Sequence, residues 1–399
     1  MISIYILWLL IFLLVALLLK LLDVRKNYII CFFITIFIII FVINLKTSIE
    51  SAINGAKLVV TAILPTIFPF SVICNLLICY DGITLYSKIL GPLFCSPLGL
   101  SKSASFPIAA SFICGYPLGA KYCSDIYNLG YIHKDEYERL LNIASNAGPI
   151  FILGSVAVAM LNNIKYGYIL LIANYLSVLI IGLITKKSTK KSTKIQNNKL
   201  VNKSIRKEYN FGINLKTSIE GAINTTLNVG AFVIIFSVII NIIKSTASIS
   251  DAFTFLENSF KLPTGILYNL FLGSIEFTNG SKLISDLNLS ISLKLSIISF
   301  ILCFSSLSVI AQVSSIVSKD TPNFKKYILL KLLQGIIGFV ITFISSNIIL
   351  VSIPTFSIAP NYSYKLIMYK IFIPLILVLS ISLLVSVLLK FIKGKLHSS

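Results

Sequence analysis

Apolar residues along the chain occur in blocks that are each about as long as a bilayer is thick. These blocks predict nine membrane-spanning helices, at Ile4–Leu19, Tyr28–Ile43, Leu58–Cys79, Ile143–Leu161, Tyr166–Ile184, Ile223–Ile243, Leu293–Val317, Tyr327–Ile353 and Leu366–Leu389. Two further stretches, Gly91–Ala120 and Leu262–Leu283, are apolar but interrupted by Gly, Pro and small polar residues. That interruption is typical of re-entrant hairpins, whose irregular backbone is tolerated where protein buries it. The pattern therefore predicts an all-α polytopic membrane protein.

The composition supports this class and excludes several others. Hydrophobic residues make up 56% of the 399 positions and charged residues only 12%, about half the usual charged fraction of a soluble domain. A soluble globular enzyme, a disordered chain and a secreted disulfide scaffold are excluded. The seven cysteines form no CxxC motif, and four of them, Cys31, Cys74, Cys114 and Cys303, lie inside apolar runs. We interpret them as buried thiols.

The positive charges predict how the spans are oriented. Lys and Arg number 34 against 14 Asp and Glu, and they cluster after the first span, in segment 186–207, after the seventh span and at the C-terminus. All four clusters fall on one side if the spans alternate, so the positive-inside rule places the N-terminus outside and the C-terminus in the cytoplasm. The first span has no basic residues before it and no cleavage motif, which indicates a retained helix. A nucleic-acid role for the basic segment is the weaker alternative.

The chain contains an internal repeat. Residues 43–54 read INLKTSIESAIN and residues 213–224 read INLKTSIEGAIN. Three shorter matches follow in the same order: 70–73 with Asn75 and 236–239 with Asn241, 97–99 and 263–265, and 119–121 and 280–282. Several matches in order indicate a duplication. Three predicted spans separate the two starts, so the second copy is expected to be inverted, as in many secondary transporters.

The repeat suggests a division of the chain. Residues 1–43 hold two spans, 44–185 the first repeat, 186–212 a basic cytoplasmic linker, 213–326 the second repeat, and 327–399 two further spans and a basic tail. In each copy the opening segment places apolar residues on one helical face. We expect these openings to be amphipathic helices that lie in the membrane plane.

The first hairpin offers one half of a candidate site. The expected tip residues are Gly115, Tyr116, Pro117, Gly119 and Lys121. Gly and Pro interrupt the helix and leave backbone groups free to meet a ligand. A helix N-terminus at such a break carries partial positive charge and suits an anion.

The second hairpin offers the matching half, with Glu276, Thr278, Asn279, Gly280 and Lys282. An acid at membrane depth is costly and is a functional candidate by default. Glu276 is expected to couple a proton or cation, or to bind substrate. The alternative is an interfacial Glu276 paired with Lys282.

Polar residues in two spans complete the candidate site. Asn146, Gly148 and Pro149 open the fourth span, and Ser305, Ser306 and Gln312 lie in the seventh. Together with the hairpins they would line a four-sided cavity. For the serines, ordinary helix packing is the stronger alternative. Asn146 and Gln312 need partners, because an amide in hydrocarbon is costly without them.

No catalytic constellation accompanies these residues. The two histidines, His133 and His397, lie in polar segments far apart in sequence, and no GxSxG, Walker A or HExxH motif occurs. We therefore expect neither an enzyme nor a cofactor, and no metal site.

Three segments carry a family resemblance. The GYPLGAK block at 115–121, the charged helix at 134–141 and the SNAGP block at 145–149 resemble the YlbJ-type sporulation integral membrane proteins of the nucleoside-recognition, or Gate-domain, superfamily. The resemblance implies a fold similar to concentrative nucleoside transporters. It also implies movement of dipicolinate towards the forespore, with the protein in the outer forespore membrane. Lys121, Lys282 and Tyr116 would suit such an aromatic dianion.

The leading hypothesis is therefore a sporulation-linked transporter of a small anion, with alternating access between inverted repeats. Its expected partners are the anion, membrane lipid, a possible coupling Na⁺ or H⁺ and a possible second copy, but no nucleic acid. The alternatives are an ion-coupled nucleoside or nucleobase carrier and a non-transporting scaffold for spore-envelope assembly.

Overall fold

The computed structural model describes residues 26–186, 210–317 and 323–351. Within these ranges the chain is helical and contains no β-strand. The α-helices are α1 Lys26–Ile43, α2 Leu45–Leu58, α3 Leu64–Cys79, α4 Gly82–Ile89, α5 Ser96–Leu98, α6 Ser105–Cys114, α7 Leu118–Asn128, α8 Lys134–Ile143, α9 Ile164–Ile184, α10 Phe211–Ser245, α11 Ala247–Ser259, α12 Ile266–Ile275, α13 Phe277–Asp286, α14 Ile291–Phe304, α15 Ser306–Ile316 and α16 Phe324–Val351. Wider π-helical turns occupy Val59–Ile63, Gly91–Cys95 and Ile150–Met160, and a 3₁₀ turn occupies Lys102–Ala104.

Several of these helices are long and apolar enough to cross a membrane. Four qualify on their own, and up to six do so if each bent pair counts as one span. The protein is thus an all-α integral membrane protein, as the apolar blocks predict. Of the nine predicted spans, Ile4–Leu19 and Leu366–Leu389 lie outside the described residues, so the total number of spans stays a prediction.

The two copies of the repeat open on long helices that pack against each other. α2, the π turn at Val59–Ile63 and α3 follow without an intervening loop, and α10 is a single helix of 35 residues. The Asn75 side chain near the end of α3 donates to the carbonyl of Ser218 near the start of α10, at 3.1 Å. The Asn241 side chain near the end of α10 donates to the carbonyl of Thr47 near the start of α2, at 3.0 Å. The two helical segments are therefore antiparallel.

The repeat openings differ from the expected separate amphipathic helices. In the second copy the opening is the first part of α10, which continues without a break to Ser245. In the first copy the buried face of α2 consists of Ser48, Ser51 and Gly55, whereas Leu45 and Ile49 are exposed. Small residues allow two helices to approach closely in a membrane, and apolar residues can face lipid. The physical reason for the difference is that the small-residue face, not the apolar face, makes the helix contact.

Two helix pairs are each interrupted by a short break. α6 and α7 are separated by 115–117, and α12 and α13 meet at Glu276. The first pair spans 105–128 rather than the predicted 91–120, because residues 91–104 form the π turn, α5 and the 3₁₀ turn before it. The second pair spans 266–286 rather than 262–283, because residues 262–265 form the turn that precedes α12. Both breaks consequently lie at the centre of their pairs.

Two further breaks follow the pairs along the chain. Residues 145–148 have no regular secondary structure, yet all of them are buried. Ser305 separates α14 from α15 with a φ of 74°. Backbone without regular structure inside a membrane protein must be enclosed by protein, and these breaks are enclosed by the surrounding helices.

Candidate functional site

The structure contains a cavity where the broken helices meet. Its volume is about 220 Å³. Most of the wall is apolar. The lining residues are Leu58, Ile63, Thr66, Ile67, Phe70, Cys114, Tyr116, Pro117, Ala147, Gly148, Ile150, Phe151, Ser155, Val229, Val233, Phe277, Thr278 and Gln312. The long helical segments of both repeat openings contribute to this wall, as do two of the four breaks, 115–117 and 145–148, and the helices that follow the other two.

Aromatic rings from the two helix pairs meet at the cavity. The Tyr116 and Phe277 rings are 5.1 Å apart, centroid to centroid, and stand edge to face. Phe151 makes a second edge-to-face contact with Phe277, at 4.8 Å. The backbone N–H of Tyr116 donates to the carbonyl of Asn146 at 2.7 Å. The first break is thereby fixed to the SNAGP segment, and its Tyr116 ring packs against Phe277 at the start of α13.

The cavity brings together some of the predicted site residues and leaves out others. Tyr116, Pro117, Gly148, Thr278 and Gln312 line it. The remaining predicted residues are not on its wall: Gly115, Gly119, Lys121, Asn146, Pro149, Glu276, Asn279, Gly280, Lys282, Ser305 and Ser306. A ligand-binding role for these residues stays a prediction, and for several of them the structure shows another role.

The glycines of the two pairs allow close packing between backbones. A Cβ on Gly119 would lie 2.0 Å from the carbonyl oxygen of Ala144. A Cβ on Gly280 would lie 2.0 Å from the Cα of Gly273, in the other helix of the same pair. Gly115 has a φ of +82° and would place a Cβ 2.4 Å from the nitrogen of Gly148. The sequence predicts that a ligand approaches the backbone at these glycines. In the structure the atoms that approach them belong to the protein's own backbone.

Glu276 caps the helix that begins directly after it. Its side chain is 5% exposed. Its carboxylate accepts the backbone N–H groups of Thr278 and Asn279, each at 2.8 Å, and the side-chain amide of Asn279 at 2.9 Å. A carboxylate is stabilised by the positive end of a helix. The alternative pairing of Glu276 with Lys282 does not occur, because Lys282 binds Asp286.

The two hairpin lysines, which the sequence suggests for binding a dianion, each form an ion pair with an aspartate. Lys121 Nζ lies 3.1 Å from the carboxylate of Asp125, and Lys282 Nζ lies 2.7 Å from that of Asp286. Lys121 also donates to Asn75 Oδ1 at 2.8 Å. Their side chains are 16% and 54% exposed, respectively. Each lysine has its own aspartate four residues later, so neither directs an unneutralised charge at the cavity.

The predicted polar side chains of the two spans, Asn146, Ser305, Ser306 and Gln312, are all buried, but they differ in their hydrogen bonds. Asn146 donates to the carbonyl of Ile143 at 2.6 Å and to Ser111 Oγ at 3.3 Å. Ser306 and Ser308 share a hydrogen bond of 2.9 Å. Ser305 is buried, and its hydroxyl has no hydrogen-bond partner among the described residues. Asn146 thus has the partners that a buried amide needs.

A buried lysine that the sequence interpretation missed lies in α16. Lys331 is 0% exposed. Its ammonium donates to the carbonyl of Ser145 and, at 2.9 Å, to Gln334 Oε1. Gln334 in turn donates to Asn146 Oδ1 at 3.1 Å and to Ser177 Oγ at 3.3 Å. One turn of α16 therefore holds both Ser145 and Asn146. The available signal was a lysine flanked on both sides by leucine pairs, which in a membrane span marks a functional candidate.

A buried carboxylate was missed as well. Glu257 is 0% exposed. It accepts the backbone N–H groups of Gly265, Leu267 and Tyr268, at 2.6, 2.7 and 3.2 Å. It caps α12 as Glu276 caps α13. Its position on the preceding helix gave no local capping pattern, so the sequence offered no signal for it.

Comparisons with known proteins agree with the resemblance found in the sequence. Residues 60–140 match the family model described as Gate, nucleoside recognition, a segment that includes the first break. The chain is 28% identical over 300 residues to the sporulation integral membrane protein YlbJ of Bacillus subtilis (strain 168), covering 71% of this chain and 74% of the relative. The resemblance is therefore confirmed: the chain is an integral membrane protein similar to YlbJ, and part of it matches the Gate nucleoside-recognition model.

Proposed function

We propose that the protein is a membrane carrier, rather than an enzyme, and that it binds a small solute in the cavity. One observation carries the proposal: the cavity lies where a broken helix pair from each copy of the repeat meets the other. Broken helices at a repeat interface are the usual position of a binding site in secondary transporters. Alternation between two arrangements of the repeats would open this cavity first to one side and then to the other.

The size of the cavity limits the solute. At about 220 Å³ it is smaller than the roughly 300–1,000 Å³ typical of pockets for drug-sized ligands. The polar side chains of its lining are few: Thr66, Tyr116, Ser155, Thr278 and Gln312. A single aromatic ring with polar substituents fits this arrangement.

The proposed cargo is dipicolinate, and the proposed setting is the outer forespore membrane during sporulation. Support comes from the similarity to a sporulation integral membrane protein and from the ring-sized cavity. The proposed orientation has the N-terminus outside and the C-terminus in the cytoplasm. Membrane lipid and a second copy of the chain are further proposed partners.

A second candidate cargo is a neutral nucleoside or nucleobase. Two observations favour it: no charged side chain is among the described residues that line the cavity, and the matched family model is described as nucleoside recognition. Coupling to Na⁺ or H⁺ would then fall to Glu276, whose carboxylate already accepts three hydrogen bonds. A scaffold without transport activity would not need a cavity of this kind.

Uptake into proteoliposomes tests the proposal. Liposomes containing the purified protein should accumulate labelled dipicolinate above the level of empty liposomes, and a parallel arm with uridine tests the second cargo. Val233→Trp should fill the cavity and abolish uptake. Val60→Trp is the matched control, because Val60 is exposed on the outside of the helical bundle. Equal uptake by the Val233→Trp variant and the wild-type protein would place the transport path elsewhere, and no uptake of either solute would contradict the carrier function.

A further inference from the structure

Lys331 is a buried lysine that has no carboxylate beside it in the described part of the chain. Among the described residues, three charged side chains are buried: Glu257, Glu276 and Lys331. The two glutamates each accept backbone N–H groups at a helix start. Lys331 binds neutral acceptors, the carbonyl of Ser145 and the amide oxygen of Gln334. It therefore differs from the two hairpin lysines, which are both paired with aspartate.

The ammonium of Lys331 lies close to the cavity wall. It contacts the carbonyl of Ser145, and Ala147 and Gly148, two and three residues later, line the cavity. Consecutive Cα atoms are about 3.8 Å apart, so Lys331 Nζ is no more than roughly 12 Å from the Cα of Ala147. A single stretch of irregular backbone separates the charge from the space where a ligand would bind.

An uncompensated ammonium in this position is energetically costly. Removing a charged group from water carries a large penalty even after relaxation of the protein, and neutral acceptors recover only part of it. Coulomb interactions are strong in a medium of low dielectric constant, so the same charge attracts an anion nearby much more strongly than it would in water. An anion in the cavity would supply the missing opposite charge.

We propose that Lys331 is the residue that makes the cavity select a small carboxylate anion over a neutral molecule of the same shape. This inference rests on the proposed binding of a solute in the cavity and assigns its charge class. It explains how a wall without charged side chains among its described residues can favour an anion. It also transfers the role that the sequence suggested for Lys121 and Lys282 to a residue on a different helix.

Lys331 could act through its charge or only by positioning the break, and the neighbouring Gln334 is an example of positioning without charge. Gln334 holds Asn146 and Ser177 through its side-chain nitrogen, so it anchors the break without carrying charge. A merely structural Lys331 would act in the same way, by holding the carbonyl of Ser145. Lys331→Gln keeps an N–H donor at this position but removes the charge, whereas Lys331→Arg keeps the charge and changes the geometry.

Calorimetric titration of the purified protein in lipid nanodiscs tests the inference. The two probes are dipicolinate and pyridine-2,6-dicarboxamide, which has the same ring and no charge. We expect the wild-type protein and Lys331→Arg to bind the dianion more tightly than the diamide. We expect Lys331→Gln and Lys331→Met to bind the dianion about tenfold or more weakly, with little change for the diamide. Lys282→Gln is the control, because Lys282 is exposed and already paired.

The outcomes are distinct. The role of Lys331 would be overturned if wild-type protein and Lys331→Gln showed the same ratio of dianion to diamide affinity. It would also be overturned if the wild-type protein preferred the diamide or bound neither probe. Diamide binding provides evidence that each variant is folded. Failure of the carrier proposal is a different result: the expected binding ratios without uptake into proteoliposomes would retain the inference and contradict transport.

Discussion

Asn75 and Asn241 make matching contacts from opposite copies of the repeat. Each lies near the end of its own long helix, and each donates its side-chain amide to a carbonyl near the start of the other, at 3.1 and 3.0 Å. Asn75 has an additional partner, because its oxygen accepts from Lys121. The pair joins the two copies at both ends of their contact. This arrangement is what an inverted duplication would produce, although the inversion itself stays a prediction.

Replacement of these asparagines should destabilise the protein unequally. A hydrogen bond between membrane helices contributes about 0.6 kcal/mol on average. We expect Asn241→Ala to lower the free energy of unfolding by about that amount. Asn75→Ala should cost about 1–2 kcal/mol, because it also leaves Lys121 without one of its acceptors. Reversible unfolding in mixed detergent micelles measures both, and equal losses would contradict the bridging role of Asn75.

Substitution of the close-packed glycines should disrupt folding. Gly119→Ala and Gly280→Ala would each place a methyl group 2.0 Å from a backbone atom, so the helices must separate. We expect each to cost more than about 2 kcal/mol. Gly154→Ala is the matched control, because a Cβ on Gly154 would have no described atom within 4 Å. The yield of monodisperse protein and its unfolding free energy test this, and a Gly280→Ala variant as stable as Gly154→Ala would be contrary to the packing role.

Gly119→Val and Gly280→Val should abolish transport, because the larger side chain forces the packed helices further apart.

Removal of the exposed hairpin lysine should have little effect. An exposed ion pair contributes about 0–1 kcal/mol, and Lys282 lies off the cavity wall. We expect Lys282→Met to retain the initial uptake rate per molecule in the membrane. Lys121→Met should reduce stability, because Lys121 binds both Asn75 and Asp125. A large loss of uptake in Lys282→Met at normal protein abundance would favour the dianion-binding role that the sequence suggests for this lysine.

Loss of the Glu276 cap should loosen the start of α13. Glu276→Ala removes the acceptor for two backbone N–H groups, and the loss of a helix cap costs about 0.5–2 kcal/mol. We expect faster hydrogen exchange at Thr278 and Asn279, with little change at Leu267 and Tyr268, which Glu257 caps. Mass spectrometry of exchanged peptides distinguishes the two helix starts. Unchanged hydrogen exchange at Thr278 and Asn279 would show that the Glu276 cap is dispensable.

The orientation of the chain can be checked by cysteine labelling. A single cysteine at Asn162 should react with an impermeant reagent from outside intact cells. One at Asn197, which lies outside the described residues, should react only after permeabilisation. The background would need the seven native cysteines replaced. The same response at both positions would contradict an odd number of crossings between the two copies.

The fold was largely predictable because hydrophobic blocks and helix-breaking residues carry local information. Gly and Pro predict the break at 115–117, and the apolar neighbours of Glu276 mark it as a candidate. The SNAGP segment is predicted inside a span that starts at Ile143, but residues 145–148 have no regular secondary structure, because this segment packs against the first break and Lys331. The partners of these residues were not predictable. Lys121 and Lys282 each have an aspartate one helical turn later, and this local pairing, rather than a shared ligand, neutralises them. Lys331, like Glu276, is an ionisable residue among apolar neighbours. It lies in a long regular span, so no nearby break in the helix indicates a functional site.

The contact between Tyr116 and Phe277 bears on whether solute can leak through the protein without a transport cycle. These rings bring the two broken pairs into contact at the cavity, so a displacement of either pair changes the packing of the other. A carrier that opens on both sides at once becomes a channel and dissipates any gradient. If the two rings enforce joint movement, smaller side chains at both positions would not simply slow the carrier. They would allow the solute to flow down its gradient without a complete transport cycle.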